Sequence, residues 1–140
     1  MTLGSGSWSD PVVSRVRRYG SGMSEHLDWW MDRYVQAWDS NDPDDIAALF
    51  DAGAVYDPQT AEGPWQGVAE IVAGWMAIDD TPGNWEFEWL PVVETDDMAV
   101  VTGRTTYLDP PASYRNLFVI QWHPDNGLCR DFTEWWIDEE

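Results

Sequence analysis

The sequence contains no lysine, and its seven arginines stand against 26 acidic residues, a formal net charge of −19. A surface of that sign repels nucleic acid and anionic membranes, so neither is an expected partner. Cys129 is the single cysteine, which leaves no internal disulfide and no Cys-based zinc site. It falls in an expected strand and reads as a small core residue, not a nucleophile. The two histidines, His26 and His123, are far apart and neither begins a metal-ligand motif. No run is long and apolar enough to span a membrane. No apolar signal-peptide core follows the N-terminal charges, so a cytoplasmic location is the expectation. A Gly-rich phosphate loop, a nucleotide fingerprint and a Gly-x-Ser-x-Gly elbow are all missing. The expected chemistry is therefore free of cofactor and metal.

What is present fits one globular domain. The chain has 140 residues, 44% of them hydrophobic and 24% charged. Eleven tryptophans supply much apolar surface from few residues, either as core or as the lining of a pocket. The acids cluster at expected turns and ends, as in Asp44-Asp45, Asp79-Asp80 and Asp96-Asp97, and read as solvated surface. Asp39-Ser40-Asn41-Asp42-Pro43 lacks the turn glycine and distal glutamate of a calcium loop, so no metal site is expected there.

Residues 1–22 are rich in Gly and Ser and carry Arg15, Arg17 and Arg18. A flexible tail is expected there, with a short helix over 11–19 as an option. Residues 23–140 form the expected domain. A first helix is predicted over 25–39, capped by Ser24, with Leu27, Trp30, Met31, Tyr34, Val35 and Trp38 on one face. Trp29 falls off that stripe and is expected to cover an edge. Asp42 caps a second helix with Pro43 in its first turn; Ile46, Leu49 and Phe50 are its buried side and Gly53 its end. A short strand over 54–57, a loop over 59–67 and a third helix over 68–78 follow. Trp85, Phe87 and Trp89 then alternate with Glu86 and Glu88, as in a strand with one wet face. Strands are expected over 98–108, 114–122 and 128–137, the last two joined by a turn at Pro124-Asp125-Asn126-Gly127. The order α-α-β-α-β-β-β-β, helices first and meander last, indicates an α+β fold.

Three stretches carry a family resemblance. The first is Arg33-Tyr34-Val35-Gln36-Ala37-Trp38 with Asp45-Ile46 and Leu49-Phe50. The second is Ala54-Val55-Tyr56-Asp57-Pro58 with Gly63-Pro64-Trp65-Gln66-Gly67. The third is Asp125-Asn126-Gly127 with a closing Glu134-Trp135-Trp136. Together they resemble the nuclear transport factor 2-like superfamily, which includes ketosteroid isomerases, SnoaL-like polyketide cyclases and limonene-epoxide hydrolases. The resemblance implies a cone-shaped α+β barrel, with three helices packed on a strongly bent, mostly antiparallel sheet. It also implies a homodimer that pairs through the outer face of the sheet.

Carried onto this chain, the resemblance implies Asp57 as a general base and Tyr34 as an oxyanion donor. The third position of the isomerase set falls on or near Phe118, which cannot donate a hydrogen bond. Asn116, on the same strand face, is the alternative donor. Trp38, Trp75, Trp89, Arg104, Phe118, Phe132, Glu134 and Trp136 are the expected lining. A second constellation, Arg104 with Asp57 and Asp131, follows from the epoxide hydrolases. Plainer readings stand beside these: Tyr34 as a core tyrosine, Asp57 as a turn cap before Pro58, Arg104 as a surface residue. The functional expectation is a small-molecule pocket protein, an isomerase, cyclase or hydratase acting by acid–base catalysis on an apolar carbonyl compound. The alternative is a non-catalytic ligand-binding or association module of the same fold.

Overall fold

The computed structural model describes residues 15–20 and 24–139. Helix α1 (Glu25–Ser40) begins where Ser24 accepts a hydrogen bond from Leu27 N–H at 3.3 Å, and it ends at Asn41 in the left-handed region. Its stripe of Leu27, Trp30, Met31, Tyr34, Val35 and Trp38 is buried as the 3.6-residue period requires. Trp29 is exposed, with the Arg33 guanidinium 4.8 Å from its ring. Helix α2 (Pro43–Ala47) starts on Asp42, whose carboxylate accepts from Asp44 N–H. Helix α3 is Val68–Ile78.

The strands are β1 (Val16–Arg18), β2 (Phe50–Asp57), β3 (Trp65–Gln66), β4 (Trp85–Glu94), β5 (Met98–Leu108), β6 (Pro111–Trp122) and β7 (Cys129–Asp138). They form one sheet in the order β1-β4-β5-β6-β7-β2-β3. β4 to β7 run as an antiparallel meander. β2 joins β7 and β1 joins β4, both in parallel. The helices pack on this curled sheet, which stays unclosed between the edges β1 and β3. The fold is the expected α+β arrangement, helices packed on a strongly bent, mostly antiparallel sheet.

Three local expectations need correction. Phe50 opens β2 instead of closing the second helix, and Gly53 lies inside that strand. Ile46, Leu49 and Phe50 are buried all the same, because burial follows the side chain and not the type of element. Part of the expected loop pairs with β2 as β3. The expected tail is ordered at 15–20: Val16–Arg18 pairs with Phe87, Glu88 and Trp89. Arg15 there donates to the Trp85 carbonyl at 2.7 Å and to Asp39 Oδ1 at 2.6 Å, 4.6 Å from the Trp85 ring centroid. The helix option fails over Val16–Arg18 for the same reason; residues 1–14 and 21–22 of the tail lie outside the described residues.

The core is aromatic. Trp30 stacks on Tyr34 and meets Phe50 and Trp122 edge-on, and its indole N–H donates to the Leu49 carbonyl at 3.0 Å. Trp38 lies flat on Trp85 at 3.9 Å. Burying one such ring removes roughly 150–250 Å² from water, about 4–6 kcal/mol before conformational entropy is subtracted. Cys129 is buried, and that burial pushes its thiol well above its ordinary range. His26 Nε2 lies 2.7 Å from the Gly127 carbonyl and ties α1 to the β6–β7 turn. No described helix is long and apolar enough to cross a membrane.

Candidate functional site

Between the helices and the inner face of the sheet lies a cavity of ≈ 490 Å³. Helix α1 contributes Tyr34 and Trp38, one turn apart on the same face. Helix α3 contributes Trp75 and Ile78. The sheet contributes Tyr56 from β2, Tyr107 from β5, Tyr114 from β6, and Glu134 and Trp136 from β7. Glu134 and Trp136 share the inward face because strand side chains alternate, with Phe132 below them in the core. Asn41, Pro58, Thr60 and Asp80 complete the wall from the connections.

Glu134 is the chemical centre. It is 4% exposed, and burial pushes its carboxyl up to about 7. Hydrogen bonds from Trp136 and Tyr56 hold it partly back, and the Asp80 charge adds a smaller upward push. Its Oε1 is buried without a hydrogen-bond partner among the described residues. Tyr56 lies beside Glu134, and Tyr34 beside Tyr56, close enough for each group to act on the titration of its neighbour. Burial, and then the Glu134 charge, push both phenols well above their ordinary range, so each stays a donor at neutral pH. A buried acid beside two neutral phenols can exchange a proton with a ligand and hydrogen-bond the oxygen where charge develops.

Asp80 forms the second polar point. Its Oδ2 accepts from the Trp38 indole at 2.9 Å and from the Tyr107 hydroxyl at 2.8 Å. Its carbonyl accepts from Asn41 Nδ2 at 2.8 Å. Among the described residues no three His, Cys, Asp or Glu side chains converge as a metal site.

Of the residues singled out from the sequence, Tyr34, Trp38, Trp75, Glu134 and Trp136 meet at this cavity. Phe118 and Phe132 lie behind it, with ring centroids 5.4 and 5.8 Å from that of Tyr34. Trp89 is buried on the inward face of β4 near Arg18, away from the cavity. Asn116 is buried on the inward face of β6. Its Oδ1 accepts from Thr105 at 2.7 Å, and its Nδ2 has no partner among the described residues.

Asp57 and Arg104 are not part of the site. On β2 the inward parity belongs to Ala54 and Tyr56, so Asp57 turns the other way and accepts from Gln59 N–H at 2.9 Å as a turn cap. Arg104 projects from the outer face of β5, opposite Glu88, and with Arg115 it grips Glu139 at 2.8 and 2.7 Å. Asp131 lies on the face of β7 opposite to Glu134 and is half-exposed. The constellation of Arg104, Asp57 and Asp131 therefore does not assemble around the cavity.

Tyr56, Asp80, Asn41, Tyr107 and Tyr114 are site residues that sequence reasoning missed. Tyr56 had a signal: alternation from Ala54 places 56, not 57, on the buried face. Asp80 had none, since an acid after a helix end looks the same whether it faces solvent or a cavity.

Residues 31–132 match the SnoaL-like domain family. No curated protein is significantly similar in sequence. Several crystal structures share the fold. A protein of unknown function with a cystatin-like fold from Methylobium petroleophilum PM1 is 16% identical, covering 86% of this chain and 82% of its own, with a TM-score of 0.66. An NTF-2 like protein of unknown function from Burkholderia xenovorans LB400 is also 16% identical, covering 83% and 86%, with a TM-score of 0.66. A ketosteroid isomerase-like protein from Erwinia carotovora atroseptica is 17% identical, covering 84% and 100%, with a TM-score of 0.61. At these identities the likeness concerns the fold. With the family match over most of its length, the chain belongs to the SnoaL-like domain family of the nuclear transport factor 2-like superfamily.

Proposed function

We propose that this protein is a cofactor-free small-molecule enzyme, an isomerase, cyclase or hydratase working by acid–base catalysis, with Glu134 as the proton-transfer group. The observation that carries this reading is a carboxyl at the cavity wall that is almost wholly buried, has one unpartnered oxygen and is held near neutral titration by burial. With a carbonyl compound bound, Glu134 takes a proton from the carbon beside the carbonyl. The C–H electron pair becomes the enolate double bond, and negative charge collects on oxygen. Tyr34 hydrogen-bonds that oxygen without giving up its proton, while the Tyr56 hydroxyl stays with Glu134. Glu134 then returns its proton to another carbon or leaving group, which restores the enzyme.

The test is deuterium exchange at the carbons beside the carbonyl of 2-tetralone, an apolar ketone, followed by NMR. Exchange above the buffer rate is expected to rise as pH passes about 7, to vanish in Glu134→Gln and to persist in Asp57→Asn. Equal exchange in wild type and Glu134→Gln would end the proposal.

The non-catalytic association reading has one observation of its own. Leu90, Val92 and Val93 of β4 are exposed, as an apolar surface that pairs with a second copy would be. It has no use for a buried carboxyl with one unpartnered oxygen. A homodimer formed through this strand is compatible with catalysis, and sedimentation of wild type against Val92→Glu tests it separately.

A further inference from the structure

We propose that the cavity selects an organic cation, an ammonium or quaternary ammonium group seated against Asp80 with its apolar remainder reaching inward to Glu134. This rests on the reading of the same cavity as the ligand site. Four observations point one way.

Two carboxyl groups, Asp80 and Glu134, line the cavity, while no arginine or histidine does among the described residues. They also repel: the Asp80 charge disfavours the charged form of Glu134. A bound cation relieves that repulsion, whereas an anion adds to it and a neutral ligand leaves it in place.

Two helices end there as well. α1 closes at Asn41 and α3 at Ile78, and both residues line the cavity. The C-terminal end of a helix carries the negative pole of its dipole. Neither last turn holds a basic residue of its own, and Arg15 beside α1 is taken up by Asp39 and the Trp85 carbonyl outside the cavity lining.

The walls are aromatic. Trp38 and Tyr107 give their polar hydrogens to Asp80 and bring their rings beside it. Trp75, Tyr114 and Trp136 add further rings around the space. Aromatic faces are electronegative and attract an ammonium group directly.

Finally, polar capacity is left unused. Asp80 Oδ2 takes both side-chain hydrogen bonds, and its Oδ1 receives none among the described residues. Glu134, 4% exposed, adds a second carboxyl deeper in the same cavity, and its Oε1 has no hydrogen-bond partner among the described residues to offset its charge. The chain's net charge of −19 would also draw cations toward the site.

The experiment compares phenyltrimethylammonium with its neutral isostere tert-butylbenzene and with benzenesulfonate. Tryptophan fluorescence and the Trp38 indole N–H resonance report binding to the full chain. Phenyltrimethylammonium should bind at least tenfold more tightly than tert-butylbenzene, and benzenesulfonate should not bind. Asp80→Asn, which keeps an oxygen for Trp38 and Tyr107, should cut cation affinity about tenfold and leave the neutral probe unchanged. Equal or stronger binding of the neutral or anionic probe overturns the proposal, as does no cation binding at millimolar concentration. The wild-type comparison decides the matter even if Asp80→Asn fails to fold. None of the probes has a carbonyl or an exchangeable carbon-bound proton. Loss of cation preference with ketone exchange intact therefore sinks only this inference, and the reverse sinks only the proton-transfer reading.

Discussion

Glu134 stands directly opposite Phe118 across the β6–β7 ladder. The family resemblance puts a hydrogen-bonding acid at or near position 118, where this chain has a phenyl ring. Directly opposed residues lie roughly 5 Å apart at Cβ, so a carboxyl one strand over reaches the same wall. Glu134 lines the cavity, while the Phe118 ring packs behind it against Tyr34. A polar group missing from one strand is thus available from its neighbour.

Stability should fall as pH rises from about 4.5 to about 7. The Glu134 carboxyl has an ordinary value of 4.5 and a folded value of about 7, so across that interval the folded chain binds more protons than the unfolded one. Linkage then makes folding less favourable with rising pH, by up to about 3 kcal/mol, with no further loss from this group above the interval. Thermal melts from pH 4.5 to 8 should show the slope in wild type. Glu134→Gln should flatten it and melt above wild type at pH 8, because a neutral amide replaces a buried charge.

Tyr56→Phe should move the Glu134 carboxyl further upward. The Tyr56 hydroxyl beside the carboxyl favours its charged form; without it, burial acts with less opposition. Carbon-detected NMR of the Glu134 side chain reads this directly. A titration that moved down would mean that the two groups are not hydrogen-bonded.

Gly74→Ala should destabilise the fold by about 1–3 kcal/mol although alanine favours helix. A Cβ at 74 would overlap the Trp65 ring, which itself stacks on Tyr56 at 4.6 Å. The ring cannot retreat without disturbing the cavity wall. Chemical denaturation measures the cost, and a shift in Tyr56 ring resonances should accompany it.

Arg15→Ala should cost about 1–3 kcal/mol, whereas Arg104→Ala should change stability little. Arg15 is mostly buried, and it binds Asp39 and the Trp85 carbonyl beside the Trp38–Trp85 stack. Arg104 is 45% exposed, and its ion pair with Glu139 is open to solvent. Comparable urea midpoints for the two variants would show that the segment before α1 adds nothing to the domain.

Most of the fold was legible because it follows local rules. The stripe on α1, the Asp42-Pro43 start of α2, the span of α3 and the alternation of Trp85, Phe87 and Trp89 are each written in neighbouring residues. β1 was not: Val16–Arg18 has little apolar content of its own and becomes a strand because the edge of β4 offers it hydrogen bonds. The Gly/Ser-rich composition around it pointed to a tail, and composition does not register a distant partner.

The site divided along the same line. Tyr34, Trp38 and Trp75 belong to strongly patterned helices, and their faces could be assigned from period alone, whereas the inward face of Glu134 waited on the strand register. Asp57 was misplaced by one residue of strand parity, which carries a side chain to the other face of the sheet. Arg104 lies on the outer face for the same reason. The sequence by itself determined the α+β class and the supply of rings for a core, since these depend on periodicity and composition, and the stretches around Tyr34, Tyr56 and Trp135 carried the family resemblance. Only the tertiary structure decided which carboxyl is buried and that Asp80 meets Trp38 and Tyr107. Those relations join residues 27 to 42 positions apart, and the energy of a buried charge depends on what surrounds it in space, not on what precedes it in the chain.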